Sequence, residues 1–347
     1  MDTVYLIIAA AAAFLTTALL GLIIVPFLHK LKFGQTILDI GPNWHKSKQG
    51  TPTMGGIMFI IGIVFSMVIT LTLALVLKGN SGLFTQLTST APQHRIFTVR
   101  MIAGAVMALS FGLIGFIDDY IKVVKKRNLG LTARQKTVLQ FLVAAAYLST
   151  AALSGDTVTK IPFVGAVDVS HGIGLIYWPI ALLFIYGFVN AVNLTDGIDG
   201  LCSSVTMVIS VCFMIISGIL QNRVLSVLCC AAAGGCCGFL CWNLKPAKVF
   251  MGDTGSLFLG GLVVALAFGT GYPIVLLFAG ILYLMEALSV IIQVTYFKKT
   301  KKRIFKMTPI HHHFEMSGWS ENKIVLVFSS VTLVGCLAAF MLIFFGV

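Results

Sequence analysis

The stretch YLIIAAAAAFLTTALLGLIIVPF, residues 5 to 27, runs for 23 residues without a charged side chain. A helix needs about 20 apolar residues to cross the roughly 30 Å hydrocarbon core of a bilayer, so this stretch is long enough to span it. It lacks a preceding basic segment and a small-residue cleavage site, which distinguishes it from a signal peptide. We therefore expect a first, permanent membrane span.

Apolar stretches of similar length recur along the whole chain. Of its 347 residues, 58% are hydrophobic and 10% are charged, whereas a soluble domain carries about 25% charged residues. Because helices satisfy their own backbone groups inside lipid, we predict an all-α polytopic membrane protein with ten transmembrane helices in a single integral membrane domain, residues 1–347. The predicted spans cover residues 5–27, 55–77, 98–117, 137–154, 175–192, 200–220, 224–242, 255–270, 273–297 and 323–346.

The segment TVTKIPFVGAVDVS, residues 157 to 170, differs from these stretches because apolar and polar residues alternate in it. A period of two is typical of strands, and the Val-Gly pair near the centre of the segment favours a turn. The pattern predicts a small β-hairpin outside the membrane.

Lysine and arginine concentrate on one side of the predicted membrane. With the N-terminus outside, the inner segments hold 19 of the 24 basic residues, and the outer side keeps only Lys78, Arg95, Arg100, Lys160 and Arg223. Basic loops stay cytoplasmic, so we expect both termini and the hairpin outside. The net charge of +12 then belongs mainly to the cytoplasmic face, where it attracts anionic headgroups and solutes.

Five aspartates lie at or near the inner ends of predicted spans, namely Asp118 and Asp119 in GFIDDYIK, Asp196 and Asp199 in NLTDGIDG, and Asp253 in VFMGDTGS. A carboxylate near a helix C-terminus opposes the macrodipole, and clustered carboxylates repel one another. A divalent cation relieves both effects, and Mg²⁺ favours oxygen ligands completed by substrate phosphates. Helix capping or a solvated span end explains any one aspartate but not the whole set, so we predict a magnesium site.

Lys122 follows Asp118 by four residues and Asp119 by three. On a continuing helix its ammonium group lies beside both carboxylates. We expect it to be shared between carboxylate and phosphate partners.

The histidine run PIHHHFE, residues 309 to 315, follows the basic run KKTKKRIFK, residues 298 to 306. Adjacent imidazoles cannot all point one way on a helix. We therefore interpret His311 to His313 as hydrogen-bond donors to phosphate rather than as three ligands of one zinc ion. The basic run alone is also typical of a patch that binds lipid headgroups. Glu286 lies within the ninth span, where an acid is either functional or an interhelical contact.

Five motifs then suggest a family. They are TPTMGG at 51–56, FIDDYIK at 116–122, NAVNLTDGIDG at 190–200, FMGDTGS at 250–256 and PIHHHFE at 309–315. Together, and in this order, they resemble the bacterial phospho-N-acetylmuramoyl-pentapeptide transferases, a branch of the polyprenyl-phosphate N-acetylhexosamine-1-phosphate transferases. The resemblance runs over essentially the whole chain.

The resemblance implies an activity and a location. It implies a homodimer of ten-span chains in the bacterial inner membrane, with its active site on the cytoplasmic face and membrane lipid around it. The substrates would be UDP-N-acetylmuramoyl-pentapeptide and undecaprenyl phosphate, the cofactor Mg²⁺, and the products lipid I and UMP. Nucleic acid is not an expected partner.

The resemblance also implies residue roles. Asp253 is expected to be the leading Mg²⁺ ligand, and the catalytic set is Asp118, Asp119, Asp253, His311 and His312. The expected substrate-binding set is Lys48, Thr53, Lys122, Lys136, Asn190, Asn193, Asp196, Gly197, Asp199, Asn243, Phe250, Gln293 and His313. Within it the lysines would contact phosphate, whereas Phe250, a possible core residue, and several polar neighbours would contact uracil or ribose.

Three alternatives stay open at this point. A sister enzyme that uses UDP-N-acetylglucosamine would keep the aspartate motifs, although the histidine loop argues against it. A transporter or channel would place its acids near the middle of the membrane, where only Glu286 is found. The reaction itself proceeds either by direct attack of the lipid phosphate or through an aspartyl-phosphate on Asp253.

Overall fold

The computed structural model describes residues 2–31, 50–77, 81–124 and 129–346, and within them it contains a bundle of helices. Ten of these helices are long and apolar enough to cross a membrane, which confirms the predicted number. The helices are α1 (Asp2–Lys30), α2 (Gly56–Val76), α3 (Gly82–Thr88), α4 (Pro92–Val124), α5 (Ala133–Leu153), α6 (Tyr177–Thr195), α7 (Leu201–Ile219), α8 (Arg223–Asn243), α9 (Gly252–Thr270), α10 (Leu276–Ala279), α11 (Ile281–Thr300), α12 (Ile310–Glu315) and α13 (Glu321–Gly346). The short helices α3, α10 and α12 are not spans.

The ninth predicted span, residues 273–297, is not one continuous helix. It begins as a 3-10 turn (Pro273–Val275) and the single turn α10, and Gly280 separates these from α11. A Cβ at Gly280 would lie 2.8 Å from the ring of Phe188, so the break falls where the backbone packs closely against α6. The helix then continues to Thr300, because helical hydrogen bonding does not stop at the edge of an apolar run.

Helix α4 also continues past its apolar run, to Val124, beyond the predicted boundary at residue 117. Asp118, Asp119 and Lys122 therefore lie on the last turns of a long helix, as the spacing of Lys122 from the two aspartates requires.

The predicted hairpin is confirmed. Strand β1 (Val158–Ile161) pairs antiparallel with β2 (Gly165–Asp168), with Thr159 opposite Val167. The side chains of Arg100 and Asp156 form two hydrogen bonds of 2.5 Å beside it. Because Arg100 and Asp118 are 18 residues apart on α4, the hairpin end lies about 27 Å from the aspartates along the helix. Its placement outside the membrane stays a prediction.

Helix α9 lies at the centre of the bundle, and every residue from Thr254 to Thr270 is buried. Glycines allow its backbone to approach its neighbours: a Cβ at Gly260 would lie 2.8 Å from the Cα of Val189, and one at Gly261 would lie 2.8 Å from the Cα of Ala108. Small residues at such crossings are typical of membrane helices. This packing fixes the N-terminus of α9, which carries Asp253, against the C-terminal end of α4.

Candidate active site

Three aspartates from two distant segments meet at one end of the bundle. Asp118 and Asp119 come from the end of α4 and Asp253 from the first turn of α9, and one oxygen from each carboxylate lies within 4.8 Å of the others. Asp118 and Asp119 are 3% and 2% exposed. Carboxylates this close and this buried require cations among them.

Two glycines make this approach possible. The Cα of Gly115 in α4 packs against the carbonyl group of Asp253, which leaves no room for a Cβ. Gly252 has a φ of +70°, a conformation that other residues adopt at a cost, and a Cβ there would lie 2.6 Å from Oδ2 of Asp119. These contacts join the ends of α4 and α9 directly.

Each buried aspartate of α4 is oriented by backbone amides. Thr254 donates to Oδ2 of Asp119 from its backbone N–H at 2.9 Å and from its hydroxyl at 2.8 Å. The backbone N–H of Leu131 donates to Oδ1 of Asp118 at 2.8 Å. The geometry of both carboxylates is therefore set by the fold rather than by mobile side chains.

Two lysines supply positive charge to the cluster. The ammonium of Lys122 lies 2.6 Å from Asp118, 2.8 Å from Asp253 and 3.7 Å from Asp119. The ammonium of Lys136, on α5, lies 3.1 Å from Asp253. Three carboxylates and two ammonium groups leave one negative charge in excess, so the cluster still attracts a cation.

The predicted amides Asn190 and Asn193 both lie on α6, facing this region. Asn193 donates to Oδ1 of Asp253 at 2.8 Å and to the hydroxyl of Ser256 at 2.7 Å. Asn190 donates to Oε1 of Gln140 at 2.8 Å. Gln140 was not predicted, although a glutamine within an apolar span is a signal that could have identified it.

The turn between α6 and α7 carries Asp196, Gly197 and Asp199. Removal from water, together with the nearby charges of Asp253, Asp119 and Asp199, raises the pKa of Asp196 to about 8. Asp199 accepts a hydrogen bond from the backbone N–H of Ala247 at 3.0 Å. Asp196 is thus an acid that favours its protonated form near neutral pH. Asp199 instead holds the loop between α8 and α9 through its contact with Ala247.

Asn243 is buried, and its side chain is used within the protein. Its Oδ1 accepts from the backbone N–H of Gly200 at 3.1 Å, and its Nδ2 donates to the carbonyl of Val249 at 2.9 Å. It therefore fastens the end of the aspartate turn to the loop that precedes Phe250.

The loop with Thr53 is paired to the segment with Phe250. The backbone N–H of Phe250 donates to Pro52 at 2.8 Å, and the N–H of Gly55 donates to the carbonyl of Phe250 at 2.8 Å. This pairing places the hydroxyl of Thr53 beside Gly252, and Phe250 itself is half-buried. Lys48 lies outside the described residues.

The three histidines point in different directions, as expected for adjacent residues. Nδ1 of His311 lies 3.1 Å from Glu286, Nδ1 of His312 lies 2.6 Å from Glu315, and Nδ1 of His313 accepts from the backbone N–H of Lys306 at 3.1 Å. His311 is fully buried against Gly197. The histidine loop therefore reaches the aspartate turn through His311.

Gln293 lies two turns after Glu286, on the same buried face of α11. Its Oε1 accepts from the backbone N–H groups of Ile304 and Phe305, each at 3.0 Å. The side chain thus anchors the basic run, which places the cations of this run at the same end of the bundle as the histidines.

The site as a whole combines oxygen ligands, fixed ammonium groups and buried amides at one end of a membrane bundle. Such an arrangement suits the binding of a divalent cation and phosphates, and it suits the stabilisation of charge during phosphoryl transfer. Within the described residues most carboxylates lie at this end, Asp2, Asp156 and Asp168 lie at the other end, and Glu286 is set deeper in a span.

Comparisons with known proteins agree with this chemistry. Residues 101–271 match the family model for glycosyl transferase family 4, and residues 48–60 match phospho-N-acetylmuramoyl-pentapeptide-transferase signature 1. A phospho-N-acetylmuramoyl-pentapeptide-transferase of Clostridioides difficile (strain 630) is 45% identical over 328 residues, 94% of each chain. Proteins of the same name from Bacillus cytotoxicus and Caldicellulosiruptor bescii are each 43% identical, the first over 99% of this chain and 98% of its own, the second over 97% of both.

Proposed function

The chain belongs to the phospho-N-acetylmuramoyl-pentapeptide transferase family, and from this membership we infer that it carries out the lipid I-forming step of peptidoglycan synthesis. It is a multi-pass membrane transferase that takes a nucleotide-linked sugar peptide and a lipid carrier. We propose UDP-N-acetylmuramoyl-pentapeptide as donor and undecaprenyl phosphate as acceptor, with UMP as the second product.

The observation that carries this function is the convergence of Asp118, Asp119 and Asp253 around Lys122. The donor is soluble and polyanionic, whereas the acceptor is held in the bilayer by its tail. Their phosphates can meet only near a membrane surface, and the cluster lies at the end of α4 and the start of α9. A cluster of fixed cations and carboxylates at such a place suits this encounter.

The residues of the cluster fit Mg²⁺. All the candidate ligand atoms are carboxylate oxygens, and the ammonium of Lys122 lies within 4 Å of all three carboxylates, which shows that the cluster accepts a cation. Asp253 is the proposed leading ligand because it is the least buried of the three and faces both lysines. When bound, the metal would neutralise charge on the diphosphate and the leaving UMP.

The lysines and Asp118 act on the two phosphates. Lys122 and Lys136 neutralise the approach of one anion to another, which is the main obstacle to the reaction. A phosphate monoester has its second pKa near 6, so the acceptor is mostly dianionic at neutral pH and needs little help from a base. Asp118, held by Leu131, orients the acceptor and removes a residual proton. Asp119, held by Thr254, contributes negative charge to the cluster beside Lys122.

Direct attack is the proposed pathway. Oδ1 of Asp253 accepts from Asn193, and Oδ2 is bound by Lys122 and Lys136. A carboxylate whose oxygens are shared among Asn193, the lysines and the proposed metal is a poor nucleophile, which argues against an aspartyl-phosphate. His312, placed beside Glu315, is proposed to donate to a phosphate oxygen.

The donor's nucleotide is proposed to bind at the turn between α6 and α7. A uracil needs an aromatic face and a few convergent polar groups, and Phe250, Asp196 and Gly197 supply them. Around this centre, the remaining proposed contacts are Lys48, Thr53, Asn190, Asp199, Asn243, Gln293 and His313. Four of these residues already bind backbone groups in other segments, so their contribution is to shape the pocket: Asp199, Asn243, Gln293 and His313.

The cellular setting is also a proposal. Membership of a peptidoglycan-synthesising family and the basic loops support a place in the bacterial inner membrane with the site facing the cytoplasm. A homodimer is proposed on the same basis. In a cysteine-free background, Ala166→Cys in the hairpin should react with an impermeant maleimide from outside, and Lys299→Cys only after permeabilisation. The reverse pattern would invert the topology.

A reconstituted assay tests the function. Purified protein, undecaprenyl phosphate and Mg²⁺ are incubated with UDP-N-acetylmuramoyl-pentapeptide or, in parallel, UDP-N-acetylglucosamine, and lipid products are identified by mass spectrometry. We expect lipid I and equimolar UMP from the first donor only. Product from the second donor would assign the chain to the sister activity, and ion movement across vesicles without UMP release would indicate a transporter.

A further inference from the structure

The buried face of α11 is polar. Glu286, Ser289 and Gln293 lie on it at helical spacing, and all three are buried. Gln293 anchors the basic run, and Ser289 donates to the carbonyl of Glu286 at 2.7 Å. Glu286 is 0% exposed, and an acid buried this deeply in a membrane helix is stable only with a specific partner.

The partner of Glu286 is His311. Oε2 of Glu286 has two contacts with this residue: Nδ1 of the imidazole lies 3.1 Å away, and the backbone N–H donates to it at 3.5 Å. Both residues are 0% exposed. The contact with Nδ1 orients the imidazole ring, and the contact with the backbone N–H holds the main chain of His311 beside the same oxygen.

The opposite edge of the ring faces the aspartate turn. Gly197 packs so closely against Nε2 of His311 that a Cβ at this position would overlap the ring. Within the described residues, Nε2 is buried and has no hydrogen-bond partner. A buried polar atom without a partner is costly, and a ligand that supplies the partner gains that cost as binding free energy.

We propose that Glu286 is a positioning residue, which holds the imidazole of His311 so that Nε2 is presented to the nucleotide donor at the Asp196–Gly197 turn. The inference rests on the proposed function and adds a role for an acid that does not itself touch the substrate. A purely structural pair would have used both ring nitrogens within the protein, whereas this pair commits Nδ1 and leaves Nε2 facing the turn. The glycine at 197 preserves the space that the ring needs.

Donor binding by paired variants tests this role. The Kd of UDP-N-acetylmuramoyl-pentapeptide is measured by titration calorimetry for the wild type and for Glu286→Met, which keeps the volume but cannot accept from Nδ1. We expect binding about tenfold weaker in Glu286→Met, since the hydrogen bond that aligns the imidazole ring is lost. Glu286→Gln retains an acceptor oxygen and should bind within about threefold of the wild type.

A double-mutant cycle separates positioning from a general effect on the fold. In a His311→Ala background, Glu286→Met should weaken binding no further, because the group on which Glu286 acts is gone. Ser289→Ala, at a buried polar position one turn further along the same helix, is the matched control and should bind like the wild type. Gel filtration and thermal unfolding verify that each variant is folded.

The outcomes are distinct. Additive losses in the double variant, or a Glu286→Gln variant as weak as Glu286→Met, would overturn the positioning role. Unchanged donor binding in Glu286→Met would overturn it as well. A wild type that neither binds nor converts this donor would instead refute the proposed function, so the two failures are not confused.

Discussion

The ammonium of Lys122 lies 2.8 Å from Oδ2 of Asp253, although the two residues are 131 positions apart in the sequence. The same ammonium lies 2.6 Å from Asp118, its neighbour on α4. One side chain thus joins a local helical contact to a contact that exists only in the folded bundle. The packing of α4 on α9 therefore places one cation beside all three carboxylates of the site.

Asp253 should be indispensable to turnover. Asp253→Ala removes the proposed leading metal ligand and a partner of Lys122 and Lys136, so we expect lipid I synthesis in detergent to fall by roughly a hundredfold or more. The variant should remain folded by gel filtration. Asp168→Ala, in the exposed hairpin, is the control and should keep normal activity. Turnover near the wild-type rate in Asp253→Ala would remove this residue from the mechanism.

Activity should depend on a divalent cation. Three carboxylates and two ammonium groups leave one excess negative charge. A bound metal would offset this charge during the approach of two phosphates. Excess EDTA should abolish UMP release, and Mg²⁺ added beyond the chelator should restore it. Full activity in EDTA, checked by elemental analysis of the protein, would rule out the metal requirement.

Asp118→Asn should lose activity at every pH. The acceptor phosphate is already mostly dianionic near pH 7, so the lost contribution is mainly orientation and charge rather than basicity. We expect a fall of about tenfold to a hundredfold in kcat that is constant from pH 6.5 to 9. Recovery of the rate as the pH rises would show instead that proton removal by Asp118 limits the reaction.

Asp196 should make the metal-free protein less stable as the pH rises. Its pKa is about 8 in the folded chain against an ordinary value of 3.8, because of burial and nearby aspartates. The folded state retains a proton that the unfolded state releases, so the stability from this group is complete below pH 4 and is lost progressively up to about pH 8.

Asp196→Asn removes this loss. In EDTA, its melting temperature relative to the wild type should rise by a few degrees between pH 5 and pH 8 and then level off. Differential scanning fluorimetry in detergent measures it, with Asp168→Asn as the control. A difference that is constant with pH would contradict the raised pKa.

The reaction should not proceed without acceptor. Because both oxygens of Asp253 are engaged by Asn193 and the lysines, a covalent intermediate is not expected. Enzyme mixed with donor and Mg²⁺ alone should release no burst of UMP, and intact-protein mass spectrometry should find no added phosphosugar. A stoichiometric burst with a matching mass increase would establish the two-step route.

The ten spans, the hairpin and the placement of the aspartate motifs at the ends of spans were predicted from the sequence alone. Span length and apolar composition are local properties, because a bilayer requires a certain number of apolar residues wherever the segment lies. The motif resemblance likewise required only the order of residues. The break at Gly280 was missed, since it depends on the contact of Gly280 with Phe188, which lies on another helix.

Apart from the aspartate cluster and the position of Lys122 beside Asp118 and Asp119, tertiary structure decided which polar residues meet. Nothing in the order of residues reveals that Lys122 bridges Asp118 and Asp253, that Gln140 supports Asn190, or that His311 lies between Glu286 and Gly197. Such contacts depend on helix rotation and crossing, which small residues such as Gly115 and Gly252 set through backbone packing. The chain's pattern therefore determined which groups were present at the membrane surface, and the packing of α4, α6, α9 and α11 determined how those groups are arranged.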